Sequence, residues 1–306
     1  MNSQSSLSRR MLLGGAVAAA ATSAAPSHAA SAVETNHHDV LDDFTIRNKK
    51  IRQSVMGWCF KPMPVPELIR HCAEIGLEAI EGISPEFYPE AHKQGLKISL
   101  VSSHGFAKGP VDPANHAECI SKLKSSIDKA VEFGAPSVIT FTGMSLHGII
   151  DSTAEKNCLA CWKKVIRYAE EKQITLVLEH LNSRDDSHPM KGHPGYFGDD
   201  VDRCVDLVKR MDSDRFKLLF DVYHVQVMNG DVIRRIRNYH PYIGHYHTAG
   251  NPGRGELDQN QEINYPAVMR AILQTGYDLF VAQEFIPTWD DPVRALRHSA
   301  MVCDVT

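Results

Sequence analysis

The sequence has little of what a nucleic-acid-binding or a disulfide-rich protein requires. Its 306 residues carry a formal net charge of −4, so they offer no basic surface for nucleic acid and no attraction to an anionic membrane. The seven cysteines are odd in number and scattered, which argues against a disulfide framework. Cys158 and Cys161 form a C-x-x-C motif inside a helical pattern, with no second pair nearby. We interpret the cysteines as buried small hydrophobes, and a small-molecule partner is favoured.

Long apolar runs are also scarce. The run at 11–25 is rich in alanine and too short to stay in a membrane as a spanning helix. It follows Arg9 and Arg10 and precedes small residues at 27–29, which is the pattern of a cleavable export signal. The two arginines before Met11 resemble a twin-arginine signal, and an ordinary secretory signal is the alternative. We predict a signal peptide at 1–30, a flexible arm at 31–48 and a periplasmic or extracellular location.

A dinucleotide-binding fingerprint is missing as well, since no G-x-G-x-x-G motif follows the first apolar run after residue 50. What is present is a regular alternation of strand-like and helix-like segments. Eight runs rich in aliphatic and β-branched residues are predicted strands: 51–60, 77–84, 96–103, 136–143, 174–180, 216–224, 242–250 and 277–285. Stretches of helical periodicity lie at 66–76, 114–134, 153–173, 199–211 and 265–276, and three of them end at Gly76, Gly134 and Gly276. Eight strands separated by helical stretches, in about 250 residues, predict an α/β fold, a (β/α)₈ TIM barrel formed by 49–306 as one domain.

Polar residues occur where four predicted strands end. Alternation along a strand separates Thr175, Val177 and Glu179, on one face, from aliphatic residues on the other. The same rule directs Asp221, His247 and Glu284 into the barrel at the ends of the next three strands. Because barrel enzymes carry their chemistry at the carboxyl ends of the strands, we expect these four side chains to converge.

Three carboxylates and one histidine in a barrel mouth would repel one another unless a cation lay between them. An oxygen-rich set with one nitrogen suits Mn²⁺ or Mg²⁺, then Co²⁺, and suits zinc less because no thiolate takes part. We therefore predict that Glu179, Asp221, His247 and Glu284 bind a divalent metal, with His245 one layer deeper as a supporting or packing residue. For Asp221 alone, capping of the following helix is the alternative.

Several motifs carry a family resemblance over about residues 50–300: EHLNSRD and HPGYF (179–185, 193–197), FDVYH (220–224), IGHYHTAGNPGRGE (243–256), EINYPAVMRAIL (262–273) and QEFIPT (283–288). With these motifs the chain resembles the xylose-isomerase-like barrels and, among them, the hydroxypyruvate isomerase group. The resemblance implies the same four metal ligands, with Glu179 and Glu284 as the acid and base. It also implies that His224 lies beside the substrate and that Arg254 is a partner of either the substrate or the metal site.

Three further residues are candidates for contact with the ligand. Asn182 and Arg184 match the isomerase-like motif after the fifth strand, and His104 follows the third strand in SSHGF. Trp58, at the end of the first strand, is either an apolar wall for the substrate or part of the core.

The sequence departs from the isomerase pattern at specific positions. That group commonly has glutamine where His247 stands, and a lysine where this chain has Ile286; a histidine at the metal position is instead typical of related sugar epimerases. The segment 186–193 lengthens the loop after the fifth strand, and longer loops change what a barrel mouth admits. We expect His188 and His193, both in this loop, to be exposed.

These residues predict an enzyme that removes a weakly acidic proton from carbon beside a carbonyl and returns it, through an enediolate. The expected activity is metal-dependent isomerisation of an α-hydroxycarbonyl compound, with conversion of hydroxypyruvate to tartronate semialdehyde as the first candidate. An exported keto-sugar epimerase and a non-catalytic sugar-binding barrel are the alternatives. A related AP-endonuclease-like hydrolase is disfavoured, because it would need more histidines and a basic groove. The expected partner is a small sugar or hydroxy-keto acid, and the choice between a monomer and a homo-oligomer is open.

Overall fold

The computed structural model describes residues 41–306, so the predicted signal peptide at 1–30 and the first part of the predicted arm lie outside the described residues. The remaining part of that arm is packed rather than loose. Phe44 and Ile46 are buried in the core, and the Ile46 N–H donates to the Ile75 carbonyl at 2.9 Å. The Asp304 carboxylate accepts from the Asn48 N–H at 3.0 Å, which fixes the segment against the end of the chain. Apolar residues near 44–46 explain this packing, since they gain free energy by leaving water.

Eight parallel strands form the barrel. They are β1 Arg52–Val55, β2 Ala79–Ile80, β3 Lys97–Ile98, β4 Ser137–Thr140, β5 Thr175–Glu179, β6 Phe216–Asp221, β7 Ile243–Thr248 and β8 Phe280–Gln283. Six of them pair in the order β1-β8-β7-β6-β5-β4, and β2 pairs with β3. Parallel bridges from Met56 to Glu81 and from Val101 to Val138 join the two groups and close the ring. The predicted (β/α)₈ barrel is confirmed, and each predicted strand contains a shorter observed one.

Ten α-helices surround the strands in the described part of the chain. They are α1 Val65–Ile75, α2 Tyr88–Lys93, α3 His116–Phe133, α4 Asp151–Trp162, α5 Ile166–Lys172, α6 Val201–Met211, α7 Val222–Met228, α8 Val232–Tyr239, α9 Tyr265–Gln274 and α10 Pro292–Cys303. The left-handed glycines predicted at helix ends are confirmed, with φ of 87° at Gly76, 65° at Gly134 and 78° at Gly276. None of the described helices is long and apolar enough to cross a bilayer.

Two predicted elements differ from the structure. The helical stretch 153–173 is divided into α4 and α5, and the predicted strand 216–224 ends at Asp221, where α7 begins. The first residues of α7, Val222 and Tyr223, are residue types common in strands, which explains the error. The Asp221 carboxylate accepts from the Tyr223 and His224 N–H groups, and this cap starts the helix.

The core separates into two layers, as the alternation of side chains requires. Inside the barrel, Leu100, Ile139, Val177 and Leu219 form a small apolar cluster below the mouth. The outward residues of the same strands, such as Leu176 and Phe220, pack against the helices. All seven cysteines, which lie in the described part of the chain, are buried and free. The inward and outward assignments made for β5 and β6 are therefore confirmed.

Candidate metal centre and active site

The four predicted strand-end residues come together at the carboxyl end of the barrel. We call Glu179, Asp221, His247 and Glu284 the strand-end cluster; one ligand atom from each lies within 4.8 Å of the others. Glu179 and Asp221 are the last residues of β5 and β6, His247 lies in β7, and Glu284 directly follows β8. All four side chains are buried. Since neighbouring parallel strands end at one rim, the fold brings together residues that are far apart in sequence.

His247 lies at the centre of the cluster. Its Nδ1 atom is 2.7 Å from Glu284 Oε2 and 3.2 Å from Glu179 Oε1. Its Nε2 atom points the other way, to Glu81 Oε1 at 2.8 Å. Burial alone would lower the pKa of His247, but the charge of Glu284 and its contacts with Glu179 raise that pKa well above the ordinary value. The His247 ring therefore contacts both glutamates of the cluster on one side and Glu81, which lies outside the cluster, on the other.

The two carboxylate oxygens of Asp221 have different roles: one caps a helix and the other faces the strand-end cluster. Oδ1 accepts from the Tyr223 N–H at 2.8 Å and from the His224 N–H at 3.2 Å, which caps α7. Oδ2 is buried, faces the cluster and has no hydrogen-bond partner among the described residues. The two readings of this aspartate, as a helix cap and as a candidate ligand, are thus compatible.

The loop after β7 carries Arg254, whose side chain brings a positive charge to the strand-end cluster. The Arg254 side chain is buried, and Nη2 lies 2.6 Å from Glu284 Oε2 and 3.5 Å from Asp221 Oδ2. The loop is closed by the Gly250 N–H, which donates to the Gly255 carbonyl at 2.7 Å. A Cβ on Gly250 would lie 2.4 Å from the Glu256 carbonyl oxygen, so only glycine permits this approach.

The three carboxyl groups of the cluster differ in how readily they ionise. Burial raises the pKa of Asp221 to about 7 despite the opposing charge of Arg254. Burial and the negative charge of Glu284 raise the pKa of Glu179 above its usual value. Burial would do the same to Glu284, but Arg254 and His247 outweigh it and lower that pKa to about 2. Two of the three groups thus resist ionisation, and a cation among them would favour the charged form of both.

His224 lies beside the cluster in a defined tautomer. Its Nδ1 atom accepts from the Asn182 backbone N–H at 3.1 Å, so the proton of the neutral ring is on Nε2. Nε2 lies 3.6 Å from Asp221 Oδ2 and has no hydrogen-bond partner in the described structure. Burial lowers the pKa of His224 well below its usual value, which favours the neutral ring. Asn182 Nδ2 also contacts His224 Nδ1, at 2.7 Å, and therefore orients the ring from behind.

A cavity of about 200 Å³ adjoins the cluster and is bordered by Glu179 and Glu284. Trp58, His104 and Phe141 line it together with smaller apolar and serine side chains. Trp58 therefore forms part of a cavity wall and also packs against the core. His104 is buried in the position predicted for substrate contact, but Thr140 Oγ1 lies 2.9 Å from its Nε2 and the Gly105 carbonyl 3.2 Å from its Nδ1.

One prediction for the loop after β5 needs correction, and one stays a prediction. His193 is 6% exposed, not a surface residue, because its ring packs against Phe106 with 4.1 Å between ring centroids and 42° between ring planes. Arg184, predicted to contact the ligand, is exposed, and its Nη1 donates to the Val227 carbonyl at 2.9 Å. His188 is exposed, as predicted. The loop reaches the centre through Met190, whose carbonyl accepts from Arg254 Nη1.

Sequence reasoning missed Glu81, which is fully buried directly after β2. The sequence contains a pattern that indicates it. Glu81 follows the outward-facing Ile80, so alternation directs its side chain into the barrel, and it is a carboxylate at a strand end, like the residues of the strand-end cluster. It contacts His247 and His245, and these three form a second group of candidate ligand atoms in the described residues.

The residues present fit a divalent cation. Three carboxylates and one imidazole form the donor set preferred by Mn²⁺, Mg²⁺ or Co²⁺. The buried oxygen Asp221 Oδ2 faces this set without a hydrogen-bond partner in the described part of the chain. Buried like charges at such short range are favourable only with a counter-charge between them.

Comparison with known families identifies the class of protein to which this barrel belongs. A family model described as a xylose isomerase-like TIM barrel matches residues 69–302, and the chain belongs to this family. Two relatives are named "Putative hydroxypyruvate isomerase". The Drosophila melanogaster protein is 32% identical over 235 residues, which are 73% of this chain and 86% of the relative. The Homo sapiens protein is 25% identical over 252 residues, 77% of this chain and 89% of the relative. The resemblance to the hydroxypyruvate isomerase group is confirmed.

A solved structure has the same barrel fold as this chain. The apo form of 3-keto-D-glucoside 4-epimerase YcjR from E. coli matches with a TM-score of 0.70 and 15% identity, over 82% of this chain and 98% of that one. At this level of identity the match concerns the fold.

Proposed function

We propose that the protein is a divalent-metal-dependent isomerase of a small α-hydroxycarbonyl compound, with conversion of hydroxypyruvate to tartronate semialdehyde as the first candidate reaction. The observation that carries this proposal is the convergence of the strand-end cluster beside a cavity of about 200 Å³ that Glu179 and Glu284 both border. The names of the two relatives support the same substrate class. Ligand sites for drug-sized molecules exceed about 300 Å³, so this cavity suits a smaller metabolite.

Glu179, Asp221, His247 and Glu284 would hold the metal. When bound, the cation would stabilise the negative charge that develops on the substrate oxygens as the proton leaves carbon. Mn²⁺ and Mg²⁺ are the first candidates and Co²⁺ the next, because oxygen donors predominate.

The two glutamates supply the proton transfer. In the candidate reaction a proton leaves C3 of hydroxypyruvate and another is added at C2, so the reaction needs no external oxidant or reductant. Glu179 and Glu284 belong to different strands and both border the cavity, so one can take a proton from carbon while the other returns one. Their burial excludes water, which would compete for the proton.

His224 and Arg254 are the candidate substrate-binding residues. His224 Nε2–H and the Arg254 Nε–H are buried donors without partners in the described structure. A hydroxyl or carboxylate oxygen of the substrate would satisfy them, which offsets the cost of burying them. Arg254 also keeps Glu284 ionised, and an ionised glutamate can act as a base.

Proton NMR in D₂O tests this proposal directly. The purified chain is incubated with hydroxypyruvate and Mg²⁺, which is diamagnetic and leaves the spectrum sharp, beside a protein-free control with the same metal. We expect a tartronate semialdehyde signal, with deuterium at C2 of the product where the base exchanges its proton with solvent. No conversion above the protein-free control would reject hydroxypyruvate as the substrate.

Epimerisation of a keto-sugar is the second candidate, and His247 is the observation that favours it. The hydroxypyruvate isomerase group that the sequence resembles commonly has glutamine at this position, and the matched E. coli structure is that of a 3-keto-D-glucoside 4-epimerase. The same assay with ketohexoses and keto-sugars distinguishes the two, because epimerisation exchanges one carbon-bound proton while the carbonyl stays in place. A non-catalytic sugar-binding barrel would bind such compounds and exchange no carbon-bound proton.

We also propose that the protein is exported, on the basis of Arg9 and Arg10 before the apolar run at 11–25. Replacing both arginines by lysine keeps the charge and is expected to retain the chain in the cytoplasm if the twin-arginine route is used. Fractionation of cells that express the parent and the double variant tests this. Equal export of both would favour the ordinary secretory route instead.

A further inference from the structure

Behind the strand-end cluster lies a buried group of polar side chains centred on Glu81. Glu81 Oε1 is 2.8 Å from His247 Nε2, and Glu81 Oε2 is 3.0 Å from His245 Nε2. Ser99 Oγ donates to Glu81 Oε2, and Ser54 Oγ lies 2.6 Å from Ser99 Oγ. Each of these five side chains is at most 1% exposed.

Three of these contacts are hydrogen bonds: His247 to Glu81, Ser99 to Glu81, and the contact between Ser54 and Ser99. The 2.8 Å separation between His247 Nε2 and Glu81 Oε1 is that of an N–H···O hydrogen bond to a charged acceptor. His245 Nε2, 3.0 Å from Glu81 Oε2, is at ion-pair distance but does not have the geometry of a hydrogen bond. His247 is moreover shared with the strand-end cluster, where its other nitrogen faces two glutamates. A second ion bound by Glu81, His245 and His247 would have to break these contacts.

Glu81 determines which nitrogen of His247 carries the proton when the ring is neutral. An ionised carboxylate can only accept, so His247 Nε2 must donate to Glu81. Nδ1 is then left with a lone pair, and it is the atom that faces Glu179 and Glu284. Turning the ring by half a rotation would place carbon atoms against all three carboxylates. The contact to Glu81 therefore fixes both the tautomer and the orientation of His247.

We propose that Glu81 is a positioning residue for the metal site, holding His247 with Nδ1 directed to the cation, while His245 and Ser99 hold Glu81 itself. This inference rests on the metal site of the proposed function, but it does not depend on the identity of the substrate. Carboxylates that orient a metal-binding histidine typically contribute 10- to 100-fold to metal affinity. A neutral or absent partner at position 81 should therefore weaken metal binding while all four ligands remain.

Calorimetric titration of the metal-free full-length chain with Mn²⁺ tests the proposal. We expect Glu81→Ala to raise the Kd for Mn²⁺ by about 10- to 100-fold, and Glu81→Gln, which can still accept from His247, to raise it less. Glu78→Gln is the matched control, since Glu78 lies in the same segment and its contacts are to Arg52 and Lys97; its Kd should equal that of the parent. Circular dichroism and the Tm of the metal-free variants show whether each is folded.

The outcomes separate this inference from the proposed function. In one outcome the parent binds Mn²⁺, Glu284→Gln weakens that binding, and both Glu81 variants are folded and bind Mn²⁺ like the parent. The proposed role of Glu81 is then wrong, and the metal site stands. If the parent does not bind Mn²⁺, both the metal site and the role of Glu81 are wrong. If Glu81→Ala does not fold, Glu81→Gln decides, because an unchanged Kd in that folded variant overturns the proposal. Binding of Mn²⁺ without conversion of hydroxypyruvate would reject the substrate and leave Glu81 unaffected.

A tautomer measurement gives a readout that a merely structural role would not change. In the Mg²⁺-loaded parent, ¹⁵N-histidine NMR should show His247 as the Nε2–H tautomer, assigned by the loss of its signals in His247→Gln. In Glu81→Ala we expect a mixture of tautomers or a shifted Nε2 resonance. An unchanged Nε2–H tautomer in that variant would contradict the proposal.

Discussion

At the scale of single residues, the site depends on side chains that use each polar atom for a different purpose. Asp221 caps a helix with one oxygen and faces the strand-end cluster with the other. His247 contacts two glutamates of the cluster through Nδ1 and Glu81 through Nε2. Buried polar atoms are costly when unpaired, so such shared use reduces the number of groups that must be desolvated.

Glu284→Gln should reduce turnover by about 10²- to 10⁴-fold, the range typical for loss of a general acid or base. The amide is nearly the same size as the carboxyl group, so the fold should remain, but it cannot accept a proton from carbon. The measurement is the initial rate on the substrate identified by NMR, at saturating Mn²⁺ and with bound metal quantified. Glu86→Gln, a change of an exposed glutamate, serves as the control. A rate for Glu284→Gln equal to that of the parent would contradict the proton-transfer role.

His193 should make stability depend on pH. Burial lowers its pKa to about 4, against 6.5 for the ordinary side chain. Between these values the unfolded chain takes up a proton that the folded chain does not, so the free energy of unfolding falls as pH falls from about 6.5 to 4. His193→Gln lacks this contribution and should lose less stability than the parent between pH 7.5 and 5.0.

Urea unfolding at the two pH values measures this difference. Contributions from the carboxyl groups are common to parent and variant and cancel in the comparison. His188→Gln, in the exposed part of the same loop, should follow the parent. Parallel losses in all three proteins would show that His193 titrates normally in the folded state.

At the scale of elements, caps determine where helices begin after the strands. The cap on α7 comes from Asp221, and the cap on α10 comes from Asp291, which accepts from the Val293 and Arg294 N–H groups at 2.9 and 3.0 Å. Such caps matter for prediction, because Val222 and Tyr223 favour a strand by residue type while the bonds to Asp221 begin a helix at the same residues.

Asp291→Ala should lower the free energy of unfolding by about 1 kcal/mol, because α10 would lose the acceptor for its first N–H groups. Affinity for Mn²⁺ should not change, since Asp291 makes its bonds within the start of its own helix. Chemical denaturation and metal titration measure the two quantities. Asp290→Ala is the adjacent exposed control and should leave both unchanged. Equal stability of the two variants would mean that water replaces the cap without cost.

At the scale of the whole molecule, closing the barrel assembles the site. Bridges from Met56 to Glu81 and from Val101 to Val138 complete the ring. This closure brings Glu81 against His247, 166 residues away in sequence. The strand-end cluster likewise draws one residue from the end of each of four successive strands. Binding at such a site is therefore coupled to folding of the entire barrel.

Metal should stabilise the folded barrel as a unit. An ion that binds only the folded state at 100 times its Kd adds about 2.7 kcal/mol to the free energy of unfolding. We therefore expect the Tm to rise with Mn²⁺ and to return to its initial value after chelation with EDTA. Asp221→Asn, which removes one ligand charge, should show a smaller rise. A Tm independent of Mn²⁺ would mean that the cluster does not bind this ion.

Local patterns in the sequence were sufficient to predict the alternation of strands and helices in the barrel and the inward faces of its later strands. Alternation with a period of two is a property of each strand by itself, so Val177, Leu219 and the strand-end cluster could be assigned without knowing any neighbour. Only the tertiary structure decided that His193 is buried against Phe106, that Arg184 stays at the surface and that Glu81 supports His247. Those outcomes depend on contacts between segments far apart in the chain, and such contacts exist only once the barrel has closed.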